Sequence, residues 1–333
     1  MPTIKTFAKN ILIRAGILRL FASQQRSGVG ILMYHSVMEN PGDVIDSIGN
    51  IVHSARVFEA QMQTIARDFQ PVSLEEAGRY VKEEAEFTKR PVVVTFDDGY
   101  SDNYEVAMPI LNRCGVPAAF YITVDCVERK TLPWPSRLRF AFRTTKKKTW
   151  VGEDGTSWSL AAPEERDRAY LSACDRYCKL SGANLESKIQ KAEFDLDAKV
   201  PADSGRLMMD WEQVKGLAKN GHIVGSHTMT HPNLAFLEIE EMRQELNESK
   251  HQMESRVGTA IHHISYPCPA LFPNWTQQTT EESQRAGYKT AVTTSNGLAH
   301  KRDNPFELKR LGPTKTLDGL RWNLEKAFAG WPG

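Results

Sequence analysis

From residue 31 onward, short continuous apolar runs alternate with stretches of helical periodicity. ILMYH (31–35), VVVTF (92–96), AAFYITV (118–124), HIVGS (222–226), HHISY (262–266), KTAVT (289–293) and ELKRL (307–311) read as strands. Runs that are apolar throughout, rather than alternating, suit a parallel sheet covered on both faces. Between them, Phe58, Met62 and Ile65 mark one helical face, and Ser73 with Glu76 forms a capping box ahead of Leu74, Ala77 and Val81. Asp210 and Gln213 cap a helix carrying Trp211, Val214 and Leu217, which Asn220-Gly221 ends. Met242, Leu246, Met253 and Val257 line another, which Gly258 stops. Seven or eight strands alternating with helices predict an α/β fold, a distorted or incomplete (β/α) barrel spanning residues 31–333.

Residues 129–206 break this rhythm, with a hairpin expected around Asp154-Gly155 and polar helical segments from Pro163 to Lys199. They read as an insertion on the barrel. Its opening, Arg129 to Lys148, holds eight basic side chains and no acidic one. Such a run is ordinarily a solvated face; the sharper alternative is a cap that attracts a phosphate-bearing substrate. Residues 1–30 carry five basic side chains (Lys5, Lys9, Arg14, Arg19, Arg26) and no acidic one, with Ile4, Phe7, Ile11, Leu12 and Leu18 at helical spacing. A basic amphipathic helix is expected, either docked on the barrel or lying on an anionic membrane surface through residues 1–28. Arg14 and Arg19 interrupt its apolar stretch before it reaches the length of an export signal. No other segment approaches the ~20 apolar residues of a membrane span. The expected location is cytoplasmic, at most peripheral to the inner face of the membrane.

Charge and cysteine content narrow the partners. The 333 residues hold 42 basic and 41 acidic side chains, and a net charge of +1 gives no reason to expect nucleic acid. The five cysteines, Cys114, Cys126, Cys174, Cys178 and Cys268, form an odd set without a CxxC pair. That argues against a disulfide framework or a cysteine-based zinc site and suits a reducing compartment.

Two motifs carry chemistry. In VVVTFDDGYSDNY a buried strand delivers adjacent carboxylates, Asp97 and Asp98, at its C-terminal end, the catalytic end of α/β barrels. Paired acids there need a cation or a shared proton to offset their repulsion. A turn in which either acid caps the next helix is the plainer alternative. In GSHTMTH, His227 and His231 follow a strand at a spacing of four, which places both imidazoles on one side of a helical turn. No glutamate follows His227 as in HExxH, so a general base must come from elsewhere, and Asp97 or Asp98 supplies it. One carboxylate and two histidines suit a divalent metal with open positions, zinc first, with cobalt, nickel or iron as alternatives.

TFDDGY (95–100) and HTMTH (227–231) resemble the first two motifs of the NodB-homology polysaccharide deacetylases, carbohydrate esterase family four. MYHSV (33–37), the stretch 207–234, SYPCPA (265–270), AVTTSNG (291–297) and KRLG (309–312) agree, so the resemblance covers residues 31–315 apart from the insertion. It implies a distorted (β/α)7 barrel that hydrolyses acetyl groups, mostly from N-acetylhexosamines. It further implies Asp97 as catalytic base, Asp98, His227 and His231 as metal ligands, and the backbone N–H of Cys268 as an oxyanion donor. The chain departs from the family at three places, the first being Cys268, which stands at the aromatic position of the third motif and keeps the backbone donor. Where many members carry an arginine that orients the catalytic aspartate, Ser265 stands, leaving Arg310 as the candidate substitute. No histidine follows His300 to protonate the leaving amine, so Asp97 returning its proton, or His35, is the candidate acid; His35 equally fits a core histidine. Tyr100, Trp134 and Tyr266 are candidates to contact the sugar. The expected substrate is an N-acetylated saccharide or glycolipid precursor, lipid- or nucleotide-linked. The alternatives are an O-acetyl esterase or amidase on the same barrel, or a non-catalytic carbohydrate-binding relative.

Overall fold

The computed structural model describes residues 28–41 and 51–331, so the expected N-terminal helix lies outside the described residues up to position 27. Seven parallel strands wind in sequence order: β1 (Gly30–Tyr34), β2 (Pro91–Phe96), β3 (Ala118–Ile122), β4 (Ile223–Ser226), β5 (His263–Ser265), β6 (Thr290–Asn296) and β7 (Leu308–Arg310). β7 returns to β1 through one bridge, where the Leu311 N–H donates to Ile31 O at 2.7 Å and the Met33 N–H donates to Leu311 O at 3.3 Å. The result is a nearly closed (β/α)7 barrel: the strand and helix pattern predicts a (β/α) barrel of seven or eight strands, and the family resemblance implies seven.

Period-two alternation sorts the strand residues into two sets. Ile31, Val93, Ala119, Tyr121, Val292 and Leu308 share one apolar cluster with Leu74, Ala77 and Val81 of helix α1 (Leu74–Val81). That cluster is the barrel interior, closed at its base by α1. The alternate positions Leu32, Val92, Val94, Phe96, Phe120, Ile122 and Ile264 belong to a second, larger cluster with the surrounding helices. Every residue of β2 is buried, which is why its run carries no polar alternation until the interior Thr95.

The hairpin forms where Asp154-Gly155 predicts it, pairing Thr149–Val151 with Ser157–Ser159. Helices α2 (Trp134–Thr144), α3 (Pro163–Tyr177) and α4 (Gly182–Asp195) enclose an apolar cluster of their own, built on Leu138, Phe142, Trp150, Cys174, Ile189 and Leu196. Three of the eight basic side chains are spent on ion pairs within the protein. Arg137 is buried against Glu186 and Glu193, Arg143 pairs with Asp167, and Arg129 pairs with Asp125. Lys146, Lys147 and Lys148 are exposed.

Candidate active site

Asp97 and Asp98 leave the C-terminal end of β2, where the Asp97 N–H still pairs with Tyr34 O at 3.0 Å. The chain then turns abruptly, with Asp98 at φ 76° and Gly99 at φ 91°. Aspartate is among the few non-glycine residues that enter this left-handed region readily, and Gly99 enters it without steric cost. Asp97 keeps the interior parity of Val93 and Thr95, and the turn swings Asp98 toward β4.

His227 and His231 do not lie on a helical turn as their spacing suggests. They sit in an irregular loop after β4, where Thr228 has φ 66° and His231 has φ 62°. The loop is held from three sides. The His227 N–H donates to Ile122 O at 2.8 Å, and the Trp134 indole donates to His231 O at 2.9 Å. Glu245, on helix α5 (Ile239–Val257), accepts from the Met229 and Thr230 N–H groups at 2.9 and 3.0 Å and contacts the Thr230 hydroxyl at 2.5 Å. Burial pushes the Glu245 carboxyl up to about 7 against those donors. A proton on the Glu245 oxygen facing Thr230 leaves the other oxygen to accept both amides.

Both imidazoles converge on one oxygen, with His227 Nε2 at 3.5 Å and His231 Nε2 at 3.4 Å from Asp98 Oδ1. His227 Nδ1 lies 2.8 Å from Ser265 O, which assigns the ring proton to Nδ1 and leaves Nε2 as an unprotonated electron-pair donor. Burial drives the His227 pKa down to about 4, keeping the imidazole neutral. Two ligands roughly 2.0–2.1 Å from a tetrahedral centre stand roughly 3.4 Å apart. The observed separations therefore match a shared cation, and Asp98, His227 and His231 form a buried group able to hold one. Asp98 Oδ1 is buried without a hydrogen-bond partner among the described residues, an arrangement a cation would relieve.

Asp97 faces a different partner. Arg310, the last residue of β7 and 1% exposed, meets it with two parallel hydrogen bonds, each 2.8 Å long. Its Nε–H donates to Thr293 O at 2.8 Å, fixing the plane of the guanidinium. Burial alone would raise the Asp97 carboxyl; Arg310 and then His227 outweigh it and hold Asp97 well below the usual carboxylate range. Asp98 is also lowered against burial, by His231, His35 and His227.

These residues open onto a cleft of about 330 Å³ that His35, Ser136, Arg139, Tyr170, Cys268 and Phe272 also line. His35 is half-buried, its backbone oxygen held by Asn103 Nδ2 at 2.6 Å, and its ring has no hydrogen-bond partner among the described residues. Burial raises the Cys268 thiol, so it stands there as a neutral group.

The three aromatic candidates are all buried. Tyr100 is 1% exposed, packs with Cys126, Leu132 and Met208, and does not line the cleft. Trp134 is 4% exposed and spends its indole N–H on the His231 carbonyl, so it braces the loop from behind. Tyr266 borders the cleft but is fully buried, with its hydroxyl bonded to Ser283. None offers a free ring face. Sequence reasoning missed Phe272, 78% exposed on the cleft lip, along with Arg139 and Tyr170. It also missed Glu245, although a glutamate on the apolar face of Met242, Leu246 and Met253 was a readable signal.

Comparison with known proteins agrees with this geometry. The family model described as polysaccharide deacetylase matches residues 84–291. YxkH of Bacillus subtilis (strain 168), whose name describes a polysaccharide deacetylase, is 22% identical over 291 residues, 87% of this chain and 72% of its own. Among solved structures, the Streptococcus pyogenes deacetylase PplD in complex with acetate superposes with a TM-score of 0.58 at 18% identity, covering 89% of this chain and 98% of that one. IcaB from Ammonifex degensii gives 0.57 at 18% identity, covering 92% and 98%. At these identities the two structures speak for the shared fold.

Proposed function

Because the chain belongs to the polysaccharide deacetylase family, hydrolases that remove N-acetyl groups from carbohydrate, we propose that Asp97 is its general base and that Asp98, His227 and His231 hold a divalent cation, zinc first. The observation that carries this reading is the pairing of two distinct units at the C-terminal ends of β2 and β4: three ligand atoms within 4.8 Å of one another, and next to them a carboxylate oriented by Arg310. A cation held by Asp98, His227 and His231 would supply Lewis acidity toward the attacking water and the acetyl carbonyl, so that a base as weak as the arginine-paired Asp97 would suffice.

Asp97 takes a proton from the water as its oxygen adds to the acetyl carbon. The backbone N–H of Cys268, on the cleft wall, is assigned to the carbonyl oxygen as that oxygen gains charge. When the C–N bond breaks, the departing amine needs a proton, and His35 supplies it. The His35 ring stands in the same cleft without a hydrogen-bond partner among the described residues, and that placement favours it over Asp97 for this step. The products are acetate and the free amino sugar.

For substrate, we infer an N-acetylated glycan precursor, lipid- or nucleotide-linked, handled in the cytoplasm or at the membrane surface. The basic, acid-free sequence of residues 1–28 supports the surface contact. Among the described residues no helix is long and apolar enough to cross a membrane. Mass spectrometry of candidate glycolipids, sugar nucleotides and oligosaccharides after incubation with wild type and Asp97→Asn tests the reading. Loss of one acetyl group is expected with wild type alone, and its absence across the panel refutes the assignment.

A further inference from the structure

Of the eight basic side chains between Arg129 and Lys148, Arg139 lines the cleft that also holds Asp97, Asp98, His227 and His231. It lies one turn beyond Ser136 on α2, with Tyr170 of α3 on the same wall. Arg129, Arg137 and Arg143 are neutralised by Asp125, by Glu186 with Glu193, and by Asp167, while Lys130 donates to Met208 O. Arg139 has no hydrogen-bond or ion-pair partner among the described residues, although it is only partly exposed.

Guanidinium does not lose its proton in proteins, so this positive charge is permanent. A partly desolvated charge without a counter-ion is unfavourable unless a ligand supplies one. The cleft's own carboxylates are committed elsewhere: Asp97 to Arg310, and Asp98 to the His227 and His231 pair. Across the same opening Phe272 presents an exposed ring, a surface suited to the apolar face of a sugar.

We propose that Arg139 forms an anion subsite in which the substrate's sugar carries a phosphate or carboxylate group beside the acetamido group being hydrolysed. Arginine's planar fork binds either group through two parallel hydrogen bonds. The subsite rests on the N-deacetylase reading above and narrows its substrate to an anionic saccharide.

The test uses the full chain loaded with zinc and three probes: a neutral N-acetylglucosamine tetrasaccharide, uridine diphosphate N-acetylglucosamine, and a tetrasaccharide alternating N-acetylglucosamine with glucuronate. Acetate release and calorimetric binding are measured separately for wild type, Arg139→Gln, Arg139→Lys and, as a control on the exposed part of the run, Lys147→Gln. Arg139→Gln is expected to weaken binding and raise KM about tenfold to a hundredfold for the anionic probe that fits, while leaving kcat and the neutral probe unchanged. Arg139→Lys retains the charge without the fork and should fall between. Whether the phosphate or the glucuronate arm responds identifies the source of the anion. Equal losses on neutral and anionic probes, or no change on any, overturn the proposal. Arginine-dependent anion binding without acetate release supports the subsite and sinks the deacetylase reading instead.

Discussion

Arg310→Met keeps the length and apolar stem of a buried side chain while removing its charge and its donors. Arg310 and Asp97 are 1% and 3% exposed at their side chains, and two 2.8 Å hydrogen bonds join them. Removing one member of such a pair leaves an uncompensated buried charge, at a cost of about 3–5 kcal/mol. The Thr293 carbonyl also loses its guanidinium donor, which keeps the expectation at the upper end of that range. Asp97→Asn reverses the problem, stranding the guanidinium. The double variant strands neither charge, so its loss should fall well short of the summed single losses, with a coupling of at least about 2 kcal/mol. Urea unfolding of all four proteins at neutral pH in the same chelator-containing buffer measures this. The kinetic counterpart is a drop in kcat of about 10²–10⁴ for either single variant, without a further multiplicative drop in the double. A cost below about 1 kcal/mol for Arg310→Met, as for an exposed ion pair, or strictly additive losses, would refute the view that Arg310 and Asp97 act as one unit.

The Glu245 carboxyl, pushed from an ordinary value near 4.5 to about 7, binds more protons folded than unfolded between those values, so its contribution to stability declines as pH rises from 4.5 to 7. That window amounts to roughly 3 kcal/mol, and Glu245→Gln should flatten this part of the stability profile; an unchanged slope in urea titrations counts against it. Chelation should abolish acetate release and added zinc restore it, while Asp98→Asn, which tolerates the left-handed backbone, should weaken metal affinity by more than about a hundredfold. Full metal content in that variant by elemental analysis contradicts the ligand assignment. Deleting residues 1–28 should remove binding to vesicles of anionic lipid while leaving acetate release from a water-soluble saccharide intact, and retained vesicle binding by sedimentation excludes the surface helix.

What the sequence disclosed about the fold followed from strong local signals. β2 and β3 are continuous apolar runs that a half-exposed sheet does not tolerate, and the capping boxes at Ser73 and Asp210 form as written. The HTMTH loop shows where local reasoning stops. A spacing of four fits a helical turn, but β4 delivers the chain into a tight passage beside Ile122 and Ser265, and two left-handed residues bring the imidazoles together instead. Tyr100 and Trp134 looked available because aromatics near a barrel mouth suit a sugar. The insertion buries Trp134, and the Met208 segment packs over Tyr100. Arg139, Tyr170 and Phe272 reach one cleft from three separate segments, a convergence that no periodicity along the chain encodes.

The substitution at Ser265 becomes intelligible through strand parity. Ile264 faces the outer helices, so Ser265 takes the interior parity, and its hydroxyl is buried without a hydrogen-bond partner among the described residues. Leu308 belongs to the interior cluster, so Arg310, two residues on, also points toward the barrel axis. β5 and β7 flank β6 in the sheet, the Arg310 guanidinium lies 3.3 Å from Thr95 Oγ1, and the interior side chains at 265 and 310 are expected to share that volume. A guanidinium rooted on β7 therefore reaches the carboxylate that one rooted on β5 would, provided the facing position is small enough to leave room. Serine at 265 meets that condition. It follows that an arginine restored at 265 would compete with Arg310 for Asp97 and place two permanent charges in a buried space that holds one carboxylate. Ser265→Arg alone should destabilise the protein, whereas Ser265→Arg combined with Arg310→Ser should recover stability and part of the activity. Losses that simply add in the combined variant would show that the two positions do not share one volume.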